Sequence, residues 1–229
     1  MSQYDQSPVK EDPRAARSRQ ALTQALAEEI LMTQDLSRVT VTSVTQRAGL
    51  TRRTFYSHFT DIADLVDKTE KICLQQMQHH IACIVGTHLE DLYVHIDNLE
   101  PCPGSVEFLK YIRQNAQIYQ ALLGSGGDPA FIEMIKDQTR QTVRKRAEIG
   151  LFSAAQGSFF EYYLTFVVSA EAGVLVRWLD QGLKEDPEVI ARIMTLLMFV
   201  RPGDLYGHPI DFNIPAYGLA LMKMKEIAW

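Results

Sequence analysis

Apolar residues in this chain recur at intervals of three and four rather than in alternation, a spacing that belongs to helices. The first such stripe is Leu22, Leu26 and Ile30, with Ala25 beside it, and it predicts a helix from about Arg14 to Thr33. Two very short helices follow. Thr40 can cap the first, with Val41, Val44 and Ala48 turned inward. Gly49 then supplies the left-handed residue that a helix C-terminus favours. Thr51 can cap the second, Arg52 to Phe59, with Phe55 and Phe59 four apart on one face. Two helices joined by a tight glycine-containing turn are a helix-turn-helix signature.

A long helix is predicted over Ile62–Val85, with Asp61 as cap and Leu65, Ile72, Leu74, Met77, Ile81, Ile84 and Val85 as apolar faces. A polar loop spans about His95 to Gly104, and helices resume at Ser105–Asn115 and Gln117–Leu123. Gly124-Ser125-Gly126-Gly127 breaks the chain, and Pro129 opens a helix that can reach Glu148. Further helices run from about Ala154 to Gly182 and from Pro187 to about Val200. The expectation is an all-α protein of about nine helices. Residues 1–13 read as a disordered arm, 14–62 as a three-helix unit, 63–200 as a larger helical unit and 201–229 as a C-terminal extension.

Composition narrows the class. With 229 residues, 46% of them apolar, the chain can bury a real core. No run of 18 apolar residues exists to span a membrane, and the polar start Met1-Ser2-Gln3-Tyr4-Asp5 lacks the basic and apolar regions of a secretory signal. A cytoplasmic protein without a membrane partner is expected. Cys73, Cys83 and Cys102 show no CxxC spacing, which argues against a disulfide framework or a zinc ribbon. The net charge of −5 speaks against nucleic acid until its distribution is read. Residues 14–60 hold seven basic and three acidic side chains, whereas residues 61–229 hold fifteen basic and twenty-two acidic. A basic head on an acidic body points to nucleic acid at one end.

The stretch Val39–Leu65, VTVTSVTQRAGLTRRTFYSHFTDIADL, resembles the DNA-binding domain of the TetR/AcrR transcriptional regulators. In a helix-turn-helix the second helix enters the major groove, N-terminal residues first. The resemblance therefore implies double-stranded DNA as partner, with Arg52, Arg53 and Tyr56 facing base edges. Thr42, Thr51, Thr54 and His58 would face phosphates, and Arg17 on the first helix would add backbone attraction. Two departures matter: Arg53 stands where the family often has a small residue or proline, and Thr60 and Ile62 stand where basic residues are common.

The segments Tyr119–Leu123 and Glu171–Pro187 also resemble this family, whose last two long helices pair with those of a second subunit. That implies a homodimer through Ala172, Gly173, Ile190, Ile193, Met194 and Leu197, reading a palindromic operator. It also implies a ligand-binding domain for a small-molecule effector, with Phe108, Tyr111, Phe131, Phe159, Tyr163 and Phe166 as lining candidates. The function expected is a repressor that an effector releases from DNA. A coregulator acting through a protein partner is the alternative, and a metal or redox sensor built on His79, His80, Cys83 and His88 a lesser one. No metal site or cofactor is assigned. No paired carboxylate, nucleophile triad or phosphate loop is evident, so no enzyme is expected.

Overall fold

The computed structural model describes residues 12–87, 91, 94–95, 98, 100–150 and 158–198, and among them finds nine α-helices, one short 3-10 turn and no strand. The helices are α1 (Pro13–Thr33), α2 (Val41–Arg47), α3 (Arg52–Tyr56), α4 (Ile62–Val85), α5 (Ser105–Gln114), α6 (Ala116–Leu123), α7 (Pro129–Gly150), α8 (Ser158–Asp180) and α9 (Pro187–Leu197). The 201–229 extension and most of the 1–13 arm lie outside the described residues.

Local chemistry explains most boundaries. The Asp12 carboxylate accepts from Arg14 N at 2.9 Å, and Pro13 opens α1, because its fixed φ and missing N–H suit the first helical position. The arm expected over 1–13 therefore yields to helix at its last residue. Thr40 and Ser43 cap α2 reciprocally. After α2, Gly49 adopts φ +65° and Leu50 N donates to Thr45 O at 2.9 Å, the bond that closes a left-handed helix end. Gly182, at φ +77°, ends α8 in the same way, with Leu183 N donating to Trp178 O.

Three expectations need correction. The helix expected to reach Phe59 ends at Tyr56, because His58 N and Phe59 N both close back on Phe55 O in a tightened turn. Val94 and His95 have helical backbone, so the loop expected from His95 starts later. Ile72 is 58% exposed and supports no core, since Leu65, Cys73 and Met77 form the buried face of α4.

One apolar cluster runs from Leu22, Val44 and Phe55 through Leu65 and Met77 to Trp178 and Ile190, so the boundary expected near residue 62 falls inside continuous packing. The head, α1–α3, is also clasped from the side. Leu36 N donates to Gly126 O at 2.9 Å. A Cβ on Gly126 would stand 2.6 Å from the Gln34 carbonyl carbon, so only glycine allows that approach. An open groove of about 660 Å³, lined by residues 33–38 and 125–129, runs beside this joint. At the far end, Arg113 donates to Leu183 O and Glu185 O and covers the Trp178 ring at 5.6 Å, which pins the turn between α8 and α9.

Candidate nucleic-acid interface

The presentation of α3 begins in α1. Its buried stripe includes an acid, Glu29, only 5% exposed, whose carboxylate receives Arg47 Nε at 2.5 Å. Glu28 adds a second contact to Arg47 at 3.5 Å. This pair ties α2 to α1 and neutralises the arginine nearest the turn. Phe55 and Phe59 then anchor α3 into the core. With that side fixed, Arg52 and Arg53 are exposed and Tyr56 is 58% exposed, its ring edge-on to Phe55.

The polar residues around this face fall into small groups. Thr51 Oγ1 accepts from Thr54 N at 3.1 Å, and the two hydroxyls lie 3.0 Å apart. Arg52 Nη2 donates to Thr42 Oγ1 at 2.5 Å, joining the first turns of α2 and α3. His58, half-buried, lies beyond the end of α3. Its carbonyl accepts from Lys68 Nζ at 3.1 Å, and the same ammonium pairs with Asp64 at 2.8 Å and covers the Phe59 ring. Lys68, followed by the Thr60 amide, holds the Asp64 carboxyl below the usual carboxylate range. Arg17 is exposed on α1.

Sequence reasoning overlooked Arg47, Glu29 and Lys68. A signal for Glu29 was present, because it falls three residues after Leu26 on the buried stripe of α1. Lys68 carried none, since its position under α3 follows from how α4 packs.

The larger unit divides the remaining candidates. Phe108 and Phe131 are buried core residues. Tyr111 stacks on His80 at 4.9 Å and its hydroxyl lies 3.0 Å from that of Tyr119, inside a group formed by α4, α5 and α6. Burial there, with His79 adding to it, pushes the His80 pKa down. Tyr163 and Phe166 are exposed on α8, Phe166 by 72%, and the side chain of Phe159 lies outside the described residues. Among the described candidates, Phe108, Phe131 and Tyr111 thus lie on the core side and Tyr163 and Phe166 on the exposed side. The reason is helix phase: Tyr163 and Phe166 project away from the side of α8 that packs in the core through Leu164, Val168 and Leu175.

A similar division separates the interface candidates. Ile190 is buried in its own subunit, and Met194 is half-buried against that core. Ile193 and Leu197 are exposed, as are Tyr162 on α8 and Val189 and Leu196 on α9. Ala172 is half-buried, and Gly173 is exposed with open space where a side chain would stand. His79 and Cys83 are exposed, and His88 lies outside the described residues. Among the described residues no three metal-ligating side chains gather, and no helix is long and apolar enough to cross a membrane.

A capped two-helix turn that buries aromatics behind and shows arginines in front, carried on a helical body, defines a helix-turn-helix transcriptional regulator. Family models agree at both ends: residues 25–69 match the bacterial regulatory proteins of the tetR family, and residues 100–199 match a transcriptional regulator C-terminal region of the same family. The chain belongs to the TetR family of transcriptional regulators. It is 23% identical over 183 residues to the HTH-type transcriptional regulator YxbF of Bacillus subtilis (strain 168), a match covering 79% of this chain. The chain spans only 44% of that relative's length. Two solved structures share the fold. The fatty acid degradation regulator FadR from Bacillus halodurans superposes with a TM-score of 0.58 at 12% identity, over 82% of this chain and 96% of that one. A TetR transcriptional regulator from Streptococcus agalactiae 2603V gives 0.52 at 21% identity, over 81% and 95%.

Proposed function

We propose that this regulator is a homodimeric repressor that binds a palindromic operator and is released by a small-molecule effector. The observation that carries the DNA-binding part is the exposed face of α3. Arg52, Arg53 and Tyr56 point to solvent while Phe55 behind them is fully buried, so the helix is anchored on its inner side and its cations face outward. An arginine in a major groove can donate two parallel hydrogen bonds to guanine O6 and N7. Thr51, Thr54 and His58 flank that face as phosphate partners, and Arg17 extends the positive surface along α1.

Exposed apolar residues on α8 and α9 support the dimer. Tyr162, Phe166, Ile193 and Leu197 stand in solvent in a single subunit, and a second copy would cover them. Pairing by a two-fold axis would place two α3 helices about one DNA turn apart, roughly 34–36 Å, on one side of the duplex. The effector part rests on Tyr111, Tyr119 and His80, which set polar atoms among aromatic faces as small-molecule sites do. An effector can release DNA only by binding better to a subunit arrangement whose α3 spacing no longer fits the operator.

Selection of genomic fragments at low salt, followed by salt titration of the best one, tests this reading. Affinity should fall by at least about 100-fold between 50 and 200 mM salt as displaced counterions lose their advantage. A flat salt response, or no fragment enriched over random DNA, contradicts it.

A further inference from the structure

We infer that Thr42 is a positioning residue for Arg52, using its hydroxyl to aim the guanidinium at base edges and thereby setting the sequence discrimination of the regulator. The inference rests on the DNA-reading assignment of α3 made above. Thr42 was expected to contact phosphate, but the structure gives its Oγ1 a second task, as acceptor from Arg52 Nη2 at 2.5 Å.

Both ends of this contact are held by local structure. Thr42 lies in the first turn of α2, which the reciprocal Thr40–Ser43 cap fixes, and a helical threonine is confined largely to two χ1 rotamers. Arg52 is the first residue of α3, fixed by the Thr51 cap, and the Gly49 turn sets the distance between the two helices.

The identity of the partner matters as much as its position. Arg47 spends its charge on Glu29 and Glu28, and Arg38 pairs with Asp35. Arg52 meets a neutral hydroxyl, and no carboxylate is within ion-pair distance of it among the described residues. A carboxylate there would compete with DNA for the cation. A hydroxyl restrains the cation and leaves its charge free. One of the five guanidinium N–H groups is used, and the other four remain for a base pair. The Thr42 hydroxyl keeps its own proton, which it can donate to a phosphate oxygen. A chain from phosphate to Thr42 to Arg52 would then strengthen along its length, since each hydrogen bond polarises the next. Part of the ordering that a long exposed arginine must undergo on binding is already complete in the free protein.

The test uses the full chain, a selected genomic fragment and a scrambled fragment of equal length, at one salt concentration. The quantity read is the ratio of the two dissociation constants. For Arg52→Ala the ratio should fall about 30-fold, the loss of one bidentate base contact. Thr42→Val should lower it by about 10-fold, and Thr42→Ser should restore it to within about 2-fold of the parent. In the double variant Thr42→Val/Arg52→Ala the loss should be no greater than for Arg52→Ala alone, because residues acting as one unit are not additive. Equal weakening of both fragments by Thr42→Val, or losses that multiply in the double variant, would overturn the positioning role and leave Thr42 a phosphate anchor. A parent protein that does not distinguish the fragments overturns the DNA-reading assignment as well. Thr42 is exposed, so urea unfolding of Thr42→Val should match the parent and remove misfolding as an explanation.

Discussion

The α3 face and the outer face of α8 and α9 are both exposed, yet they differ in what they leave to solvent. Around α3 every apolar side chain except the ring of Tyr56 finds the core, and what remains outside is cationic and hydroxylic. Along α8 and α9 some charges pair with each other, as Arg192 does with Glu188, and the exposed side chains include the apolar Tyr162, Phe166, Val189, Ile193, Leu196 and Leu197. Exposed cations cost a free subunit little, because water solvates them. An exposed apolar face of this extent costs roughly 25 cal/mol per Å² of apolar area until it is covered. On the proposed reading, one region is complete as a subunit and waits for a polyanion, whereas the other is completed by a second copy.

The largest effect expected of substitutions on these two faces is on assembly. Phe166→Glu combined with Ile193→Glu should weaken self-association by at least about 1,000-fold, since two central apolar anchors are replaced by charges. Sedimentation equilibrium reads the change, and secondary structure should be unaltered because both positions are exposed. A variant that sediments as the parent does would show that this face is not the interface.

The next effect separates two arginines of the head. Arg47→Met strands the buried Glu29 carboxylate and should cost about 2–3 kcal/mol of stability, at the low end for broken buried pairs because Arg47 is partly exposed. Arg53→Ala should change stability by less than about 0.5 kcal/mol while weakening DNA binding. Urea titration beside a binding assay distinguishes them. Equal stability losses would mean that α3 is not the free surface described.

A smaller effect depends on pH. Glu70 on α4 is buried, with Oε1 unpartnered, and burial together with Asp128 and Asp67 raises its pKa to about 7. Its folded-state pKa lies above the unfolded one, so its contribution to stability is full below the unfolded value and is lost as pH rises through about 7. Glu70→Gln should therefore be nearly neutral at pH 4 and stabilise by about 1–2 kcal/mol at pH 8.5. Some pH dependence should remain, because burial also raises Glu171 to about 7. Identical pH profiles for parent and variant would contradict the burial of an acid at this position.

Helix starts and stops were legible because single residues encode them. Thr40, Thr51 and Asp61 cap, Pro129 and Pro187 open, and Gly49 and Gly182 close, each through its own backbone chemistry. Which neighbour covers an apolar position was not legible. Ile190 and Ile193 share one periodic pattern, yet one enters the core and the other faces solvent, because a stripe wider than the core it meets must leave part outside. Phe166, expected to line a pocket, is likewise exposed on α8. The Arg52–Thr42 contact also could not be read from spacing, since it depends on the angle that the Gly49 turn sets between two helices.

Hydroxyl-radical footprinting of the selected fragment tests most directly the claim that two such faces act as a pair. Two protected segments are expected, with centres about 10–10.5 base pairs apart, or a multiple of that, on one side of the duplex, both lost in the Phe166→Glu/Ile193→Glu variant. A single protected segment that survives in that variant would contradict it.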